Sequence, residues 1–195
     1  AESHHRVMVL ELMGRDAGWI ALVSGIAGGA DVILIPEVPW SIEGVTRKIL
    51  ARQREGKPFS IVVVAEGTPA PDGERVVHRR VEGSHEPVRL GGIGHLVGDL
   101  IERRTGIETR VTVLGHIQRG GSPSPFDRVL ATRLGVAAAR EAIAGRWNVL
   151  VRLQGGVVSS LPFERLSEGI RRVPADGELI QTARAIGISF GEPDA

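Results

Sequence analysis

Apolar residues recur along this chain in short blocks, and the blocks alternate between two kinds of periodicity. Arg6 to Leu12 (Arg-Val-Met-Val-Leu-Glu-Leu) reads as a β-strand. The turn Met13-Gly14-Arg15-Asp16-Ala17-Gly18 follows, opening a helix from Trp19 to about Ala27. Gly28 and Gly29 are placed to end that helix, because glycine past a helix end adopts the left-handed conformation at no steric cost. Asp31 to Ile35 predicts a second strand stopped by Pro36, and Ser41 predicts the N-cap of a helix running to about Arg54. Phe59 to Ala65 is nearly all apolar, which predicts a central strand covered on both faces.

From Ala70 to Gly91 the order is lost among charges, Pro71, Gly73, Gly83 and Pro87, predicting an irregular surface excursion or a mobile hairpin. Beyond it the pattern predicts a helix over Ile93–Arg104 and a buried, β-branched strand over Thr109–Leu114. A long helix from Phe126 to Ala144 carries Val129, Leu130, Leu134, Val136 and Ala137, and Gly145 ends it. Trp147 to Leu153 predicts a fifth strand and Phe163 to Arg171 a short helix. The last twenty residues carry weak pattern and are expected to pack loosely or fray. Strands alternating with helices predict βαβ units and a parallel sheet. The expected architecture is a Rossmann-like three-layer α/β sandwich with a mainly parallel sheet, plus part of a second α/β domain. The expected division is 1–117 for the first domain, 118–173 for a segment of the second, and 174–195 for a C-terminal tail.

Composition narrows the chemistry. The net charge is +1 over 195 residues, so attraction for anions has to be local rather than global. Most of the basic residues are arginine, which suits forked contacts with phosphate or carboxylate. With three Trp, four Phe and no Tyr, neither a broad basic field nor stacking platforms for nucleic acid emerge, despite the Arg79-Arg80 and Arg171-Arg172 pairs. There is no cysteine, hence no disulfide and no thiolate metal site. No apolar run is long enough to predict a membrane span, and no secretory leader is seen. The chain opens on Ala1 and passes almost at once into a strand, which reads as the later part of a longer polypeptide.

Three strands end in polar or glycine-rich signatures: Leu12 before Met13-Gly14-Arg15, Ala65 before Glu66-Gly67, and Leu114 before Gly115-His116-Ile117-Gln118-Arg119. The carboxyl ends of parallel strands share one edge, where ligands dock in open α/β sheets. Arg15, Glu66, His116 and Arg119 are therefore expected to converge. Arg110 and Arg119, nine residues apart around a histidine and Gly120-Gly121, form a mould for a phosphorylated small molecule. The guanidinium and imidazole groups suit phosphate, and the Glu66 carboxylate suits sugar hydroxyls.

These blocks resemble a known family. Glu11-Leu12-Met13-Gly14-Arg15-Asp16-Ala17-Gly18, Ile26-Ala27-Gly28-Gly29-Ala30, Ile35-Pro36-Glu37, Val64-Ala65-Glu66-Gly67 and Thr112 to Pro123 resemble, in family order, the C-terminal half of the 6-phosphofructokinases. The run Ala1-Glu2-Ser3-His4-His5-Arg6 looks most like actinobacterial members. The resemblance implies a cytoplasmic, glycolytic phosphotransferase acting on fructose 6-phosphate. It implies that Met13, Gly14, Arg15, Glu66, His116, Ile117, Gln118 and Arg119 bind this substrate within one subunit. Arg6 and Arg110 would reach the 6-phosphate of a neighbour's substrate in a homotetramer, and Arg15 and Arg119 would stabilise the charge of the moving phosphoryl group. Mg²⁺ would accompany ATP or pyrophosphate, the donor being read outside this segment; a non-catalytic sugar-phosphate module is the remaining alternative. The family's Gly-Gly-Asp nucleotide loop and the segment carrying its catalytic base do not occur here, so the chain alone is expected to transfer no phosphoryl group. Asp31 and Lys57 match positions of the family's effector site. Glu55 stands where its bacterial members carry an arginine, implying lost or altered regulation.

Overall fold

In the computed structural model, residues 5–80, 88–166 and 169–193 are described; residues 1–4 of the opening run and 81–87 of the expected excursion lie outside them, and Arg79 and Arg80 are described in backbone only. The chain divides into two compact units, residues 1–118 with 171–195 and residues 119–170.

The first unit is built on four parallel strands in the order β2-β3-β1-β6: β1 (Val7–Leu12), β2 (Val32–Leu34), β3 (Ser60–Ala65) and β6 (Thr109–Val113). Side chains alternate across the sheet, so two cores form back to back. Val7, Val9, Val62 and Val64 pack against α2 (Ile42–Arg54) and α3 (Ile93–Thr105) through Val45, Ile49, Val97 and Ile101. On the other face Leu12, Ile33, Val63 and Ala65 meet Ala21 and Leu22 of α1 (Trp19–Ala27). That makes three layers, with β3 central and nearly all buried, as its apolar run predicts. The α2 cap is also as expected, Ser41 Oγ accepting from the Gly44 amide at 3.0 Å. Past α1 it is Gly29, at φ +68°, that takes the left-handed position. The excursion contributes an antiparallel pair, β4 (Val77–Arg80) with β5 (Val88–Leu90).

Two expectations fail here. The strand at Thr109 is not buried: among the described residues β6 pairs only with β1, at the sheet edge, and Val113 is 45% exposed. Its β-branched alternation reported strand geometry, which an edge shares with a centre. Nor is the tail loose. It forms α5 (Glu178–Ala185), and Ile180, Ala183 and Phe190 are fully buried against the α1 face. The Ile33 amide donates to Ser189 O at 2.9 Å and the Ser189 amide to Asp31 O at 3.0 Å, so the tail runs along the free side of β2. Ile180 and Ala183, three residues apart, form the buried face of α5, and Phe190 follows beyond its end.

The second unit contains α4 (Pro125–Ile143) and a hairpin of β7 (Val149–Gln154) and β8 (Val157–Pro162). A reciprocal cap starts α4: Ser124 Oγ accepts from the Asp127 amide at 3.2 Å and Asp127 Oδ2 from the Ser124 amide at 2.8 Å. The Ser124 hydroxyl, which also donates to Asp127 Oδ2 at 2.7 Å, and then the Ser124 amide hold the Asp127 carboxyl below its ordinary pKa, against a smaller opposing effect of desolvation. The fifth strand is thus half of an antiparallel hairpin, and the helix expected over Phe163–Arg171 shrinks to a 3-10 turn at Phe163–Leu166. Gly155 and Gly156, at φ +55° and +81°, make the two-residue turn. None of the described residues of this unit is buried.

Candidate functional site

The parallel sheet sends the ends of β1, β3 and β6 to one edge, and the three loops there are bonded into a single surface. The Glu66 amide donates to Leu12 O at 2.9 Å, the Gly67 amide to Gly14 O at 2.9 Å and the Leu114 amide to Glu11 O at 3.0 Å. Side chains then cross between loops. Gln118 Oε1 accepts from the Met13 amide at 2.7 Å, and Glu66 Oε1 receives the Gly14 amide at 3.4 Å.

Two glycines allow this closeness. A Cβ on Gly67 would lie 1.8 Å from the Arg15 carbonyl oxygen. Gly14, at φ +147°, would place one 2.9 Å from Ala17 O. The Arg15 backbone is therefore pressed against the Glu66 loop. Its Nε lies 4.0 Å from Asp16, whose other carboxylate oxygen takes Arg75 at 3.1 Å. His116 and Ile117 follow on a 3-10 turn over Gly115–Arg119, and Ile117 is 78% exposed. Arg119 ends that turn and opens the second unit. Of the residues that the resemblance implies as ligands within one subunit, hydrogen bonds join Met13 to Gln118 and Gly14 to Glu66, with Arg15 alongside; of the four expected to converge, only Glu66 and Arg15 are thus brought together by the described contacts.

The other candidates lie at the opposite, amino edge. Arg6 precedes β1, and Arg110 is the second residue of β6, in register with Met8. Both guanidiniums are held by Glu108: Arg6 Nε donates to Oε2 at 2.6 Å, and Arg110 donates a terminal amine to Oε1. Partial desolvation pushes the Glu108 pKa up, but the hydrogen bond and charge of Arg6, then those of Arg110, bring it below its ordinary value. Asp31, at the same edge, is committed. It pairs with Arg52 at 2.9 Å and accepts from the Ile61 amide at 2.9 Å, while Lys57 faces Glu55 at 3.6 Å. Six strand residues separate the edges, roughly 20 Å at the rise of an extended chain.

Three carboxylates matter that sequence reading passed over. Glu11, 2% exposed, accepts from the Gly92 and Gly94 amides and so caps α3, whose own N-cap is a glycine. A charge inside an otherwise apolar strand was the available signal. Glu37 accepts from the Gly18 amide at 3.1 Å and from the Val173 amide at 2.9 Å, tying the start of α1 to the returning tail. Glu108 is the third, and its spacing from Arg6 left no local signal. Among the described residues, no three His, Asp or Glu side chains gather in a way that could hold a metal.

The phosphofructokinase family model matches residues 1–142. The chain is 51% identical over 192 residues to the ATP-dependent 6-phosphofructokinase of Chloroflexus aurantiacus, covering 98% of this chain and 52% of that protein. It is 50% identical to ATP-dependent 6-phosphofructokinase 2 of Clostridium perfringens, with 98% and 53% covered. The chain thus spans about half the length of the curated relatives it matches. Among solved structures, Pichia pastoris phosphofructokinase aligns with a TM-score of 0.69 at 30% identity, over 95% of this chain and 19% of that one. The pyrophosphate-dependent phosphofructokinase of Nitrosospira multiformis aligns at 0.71 and 22% identity, over 97% and 50%, a likeness of fold.

Proposed function

The chain belongs to the phosphofructokinase family, and from that premise we propose that it provides the sugar-phosphate side of a glycolytic enzyme moving a phosphoryl group from ATP to the 1-hydroxyl of fructose 6-phosphate. The observation that carries this reading is the bonding of Met13, Gly14, Glu66 and Gln118 into one surface at the carboxyl edge of the sheet. Glu66 gives Gly14 only a long bond, which leaves its carboxylate able to accept sugar hydroxyls. Arg15, His116, Ile117 and Arg119 complete the site. Arg15 and Arg119 are the cations proposed to offset negative charge on the transferring group, since such transfer depends on positioning and charge neutralisation.

Arg6 and Arg110 serve a different copy. A hexose phosphate is shorter than the strand separating them from Glu66, so within one chain it cannot touch both sets. The reading therefore requires a homo-oligomer, in our proposal a tetramer with each site shared across an interface. Mg²⁺ would enter with the donor phosphates and help neutralise their charge. Relatives at about half identity are ATP-dependent by name, which favours ATP over pyrophosphate as the donor. Asp31, occupied by Arg52 and the Ile61 amide, supports altered regulation at the position matching an effector site. We place the enzyme in the cytoplasm, as the resemblance to glycolytic 6-phosphofructokinases implies.

The test is a titration of the 195-residue chain with fructose 6-phosphate, read by amide resonances, alongside a coupled assay for fructose 1,6-bisphosphate. The expected result is shifts at Met13, Gly14 and Gln118 with no turnover. Shifts confined to other surfaces would refute the site, and turnover would show that the chain carries its own base.

A further inference from the structure

We propose that Glu108 is a positioning residue that presents Arg6 and Arg110 as one phosphate-binding fork, an inference that rests on the reading of those two arginines as phosphate ligands. The geometry is one carboxylate with a different guanidinium on each oxygen. Arg6 and Arg110 come from the starts of neighbouring strands and carry like charges. Without an anion between them they would splay apart and sample many rotamers. Each arginine commits one nitrogen to Glu108, so among the described residues most of its five N–H groups remain for a second acceptor. The cluster keeps a net positive charge and suits a phosphomonoester.

Stability does not explain this arrangement. The side chains of Arg6, Arg110 and Glu108 are 29%, 60% and 44% exposed, and exposed ion pairs add little to folding. The backbone needs none of the three: the Val7 amide donates to Glu108 O, a main-chain bond that any residue at 108 would make. Glu108 also repels a bound phosphate, and the balance decides its role. That repulsion acts through water and is screened by salt. The rotamer freedom lost by two long side chains is not screened, and Glu108 has already removed much of it before the ligand arrives. Positioning therefore wins at physiological ionic strength.

The test uses the 195-residue chain at about 0.15 M salt, the ionic strength at which exposed charges are screened beyond roughly 8 Å. Inorganic phosphate and fructose 6-phosphate are titrated while the Arg6 and Arg110 guanidinium resonances are followed by NMR. Glu108→Gln is expected to weaken phosphate binding at these arginines by about two- to fivefold, the range for coupling between exposed charges. Glu108→Asp should restore part of the loss; the melting temperature should fall only slightly, as for an exposed ion pair, and the Met13 amide should stay unchanged. Unchanged or tighter phosphate binding in Glu108→Gln would overturn the inference. The premise is tested apart from it: if the double variant Arg6→Ala with Arg110→Ala binds phosphate as the parent does, the reading of this edge as a phosphate site fails.

Discussion

Residues 1–118 with 171–195 and residues 119–170 are drawn from the same alphabet, yet only the first unit has an interior. Every buried apolar residue among those described belongs to it. The second unit has a reciprocally capped helix and a hairpin with a suitable two-residue turn, while Phe126, Val129, Ile143 and Trp147 remain 67%, 60%, 87% and 70% exposed. Local signals are enough to specify elements. A core also needs a second layer to bury against. In the first unit the sheet is packed by helices on both faces, so the loops of the proposed site spring from a packed base.

The largest break in that contrast should come from two phenylalanines. Phe190→Ala is expected to cost about 3–5 kcal/mol in urea unfolding, because a fully buried ring leaves a cavity. Phe126→Ala, two-thirds exposed, should cost under about 1 kcal/mol. Similar losses would mean that the second unit has a core after all. Next in size is Gly67→Ala. Its Cβ would meet the Arg15 carbonyl, so the loops must part at a cost of about 1–3 kcal/mol, with loss of fructose 6-phosphate binding. Retained binding would show that the contact does not shape the site. Limited proteolysis should cut first within residues 119–170, and cuts of equal speed in both units would contradict the contrast.

The smallest effect concerns acid. Glu108 titrates below the ordinary 4.5 when folded, so its charge favours the folded chain above that value and the contribution fades as pH falls through the lower folded value. Carboxyl NMR should find a midpoint under 4.5 that rises when Arg6 is replaced by alanine; no movement would deny the pairing.

Much of the first unit was legible because its elements carry strong local patterns. The apolar runs of β1 and β3 and the Ser41 cap all report on local packing, and the strand ends Met13, Glu66 and Gly115 followed from parallel topology. What escaped depended on distant partners. Phe190 and Ile180 complete a core begun far upstream at Leu12, and an eight-residue α5 is too short a pattern to announce that partner. The edge status of β6 lies in which strands are missing beside it, which no residue of β6 records. The β7–β8 hairpin was different: Gly155-Gly156 between two apolar runs was a readable turn. In the candidate site, residue type singled out Glu66, whereas Gln118 entered only through the family resemblance. Glu108 had no such signal, since its partners include Arg6, far upstream in the chain.

The most direct measurement is calorimetric titration of the 195-residue chain and its Glu66→Gln variant with fructose 6-phosphate. Glutamine keeps the acceptor for the Gly14 amide but removes the charge offered to sugar hydroxyls. The account predicts binding at least about tenfold weaker in the variant at an unchanged melting temperature, the usual worth of a hydrogen bond to a charged group. Equal affinity in the two proteins would contradict it.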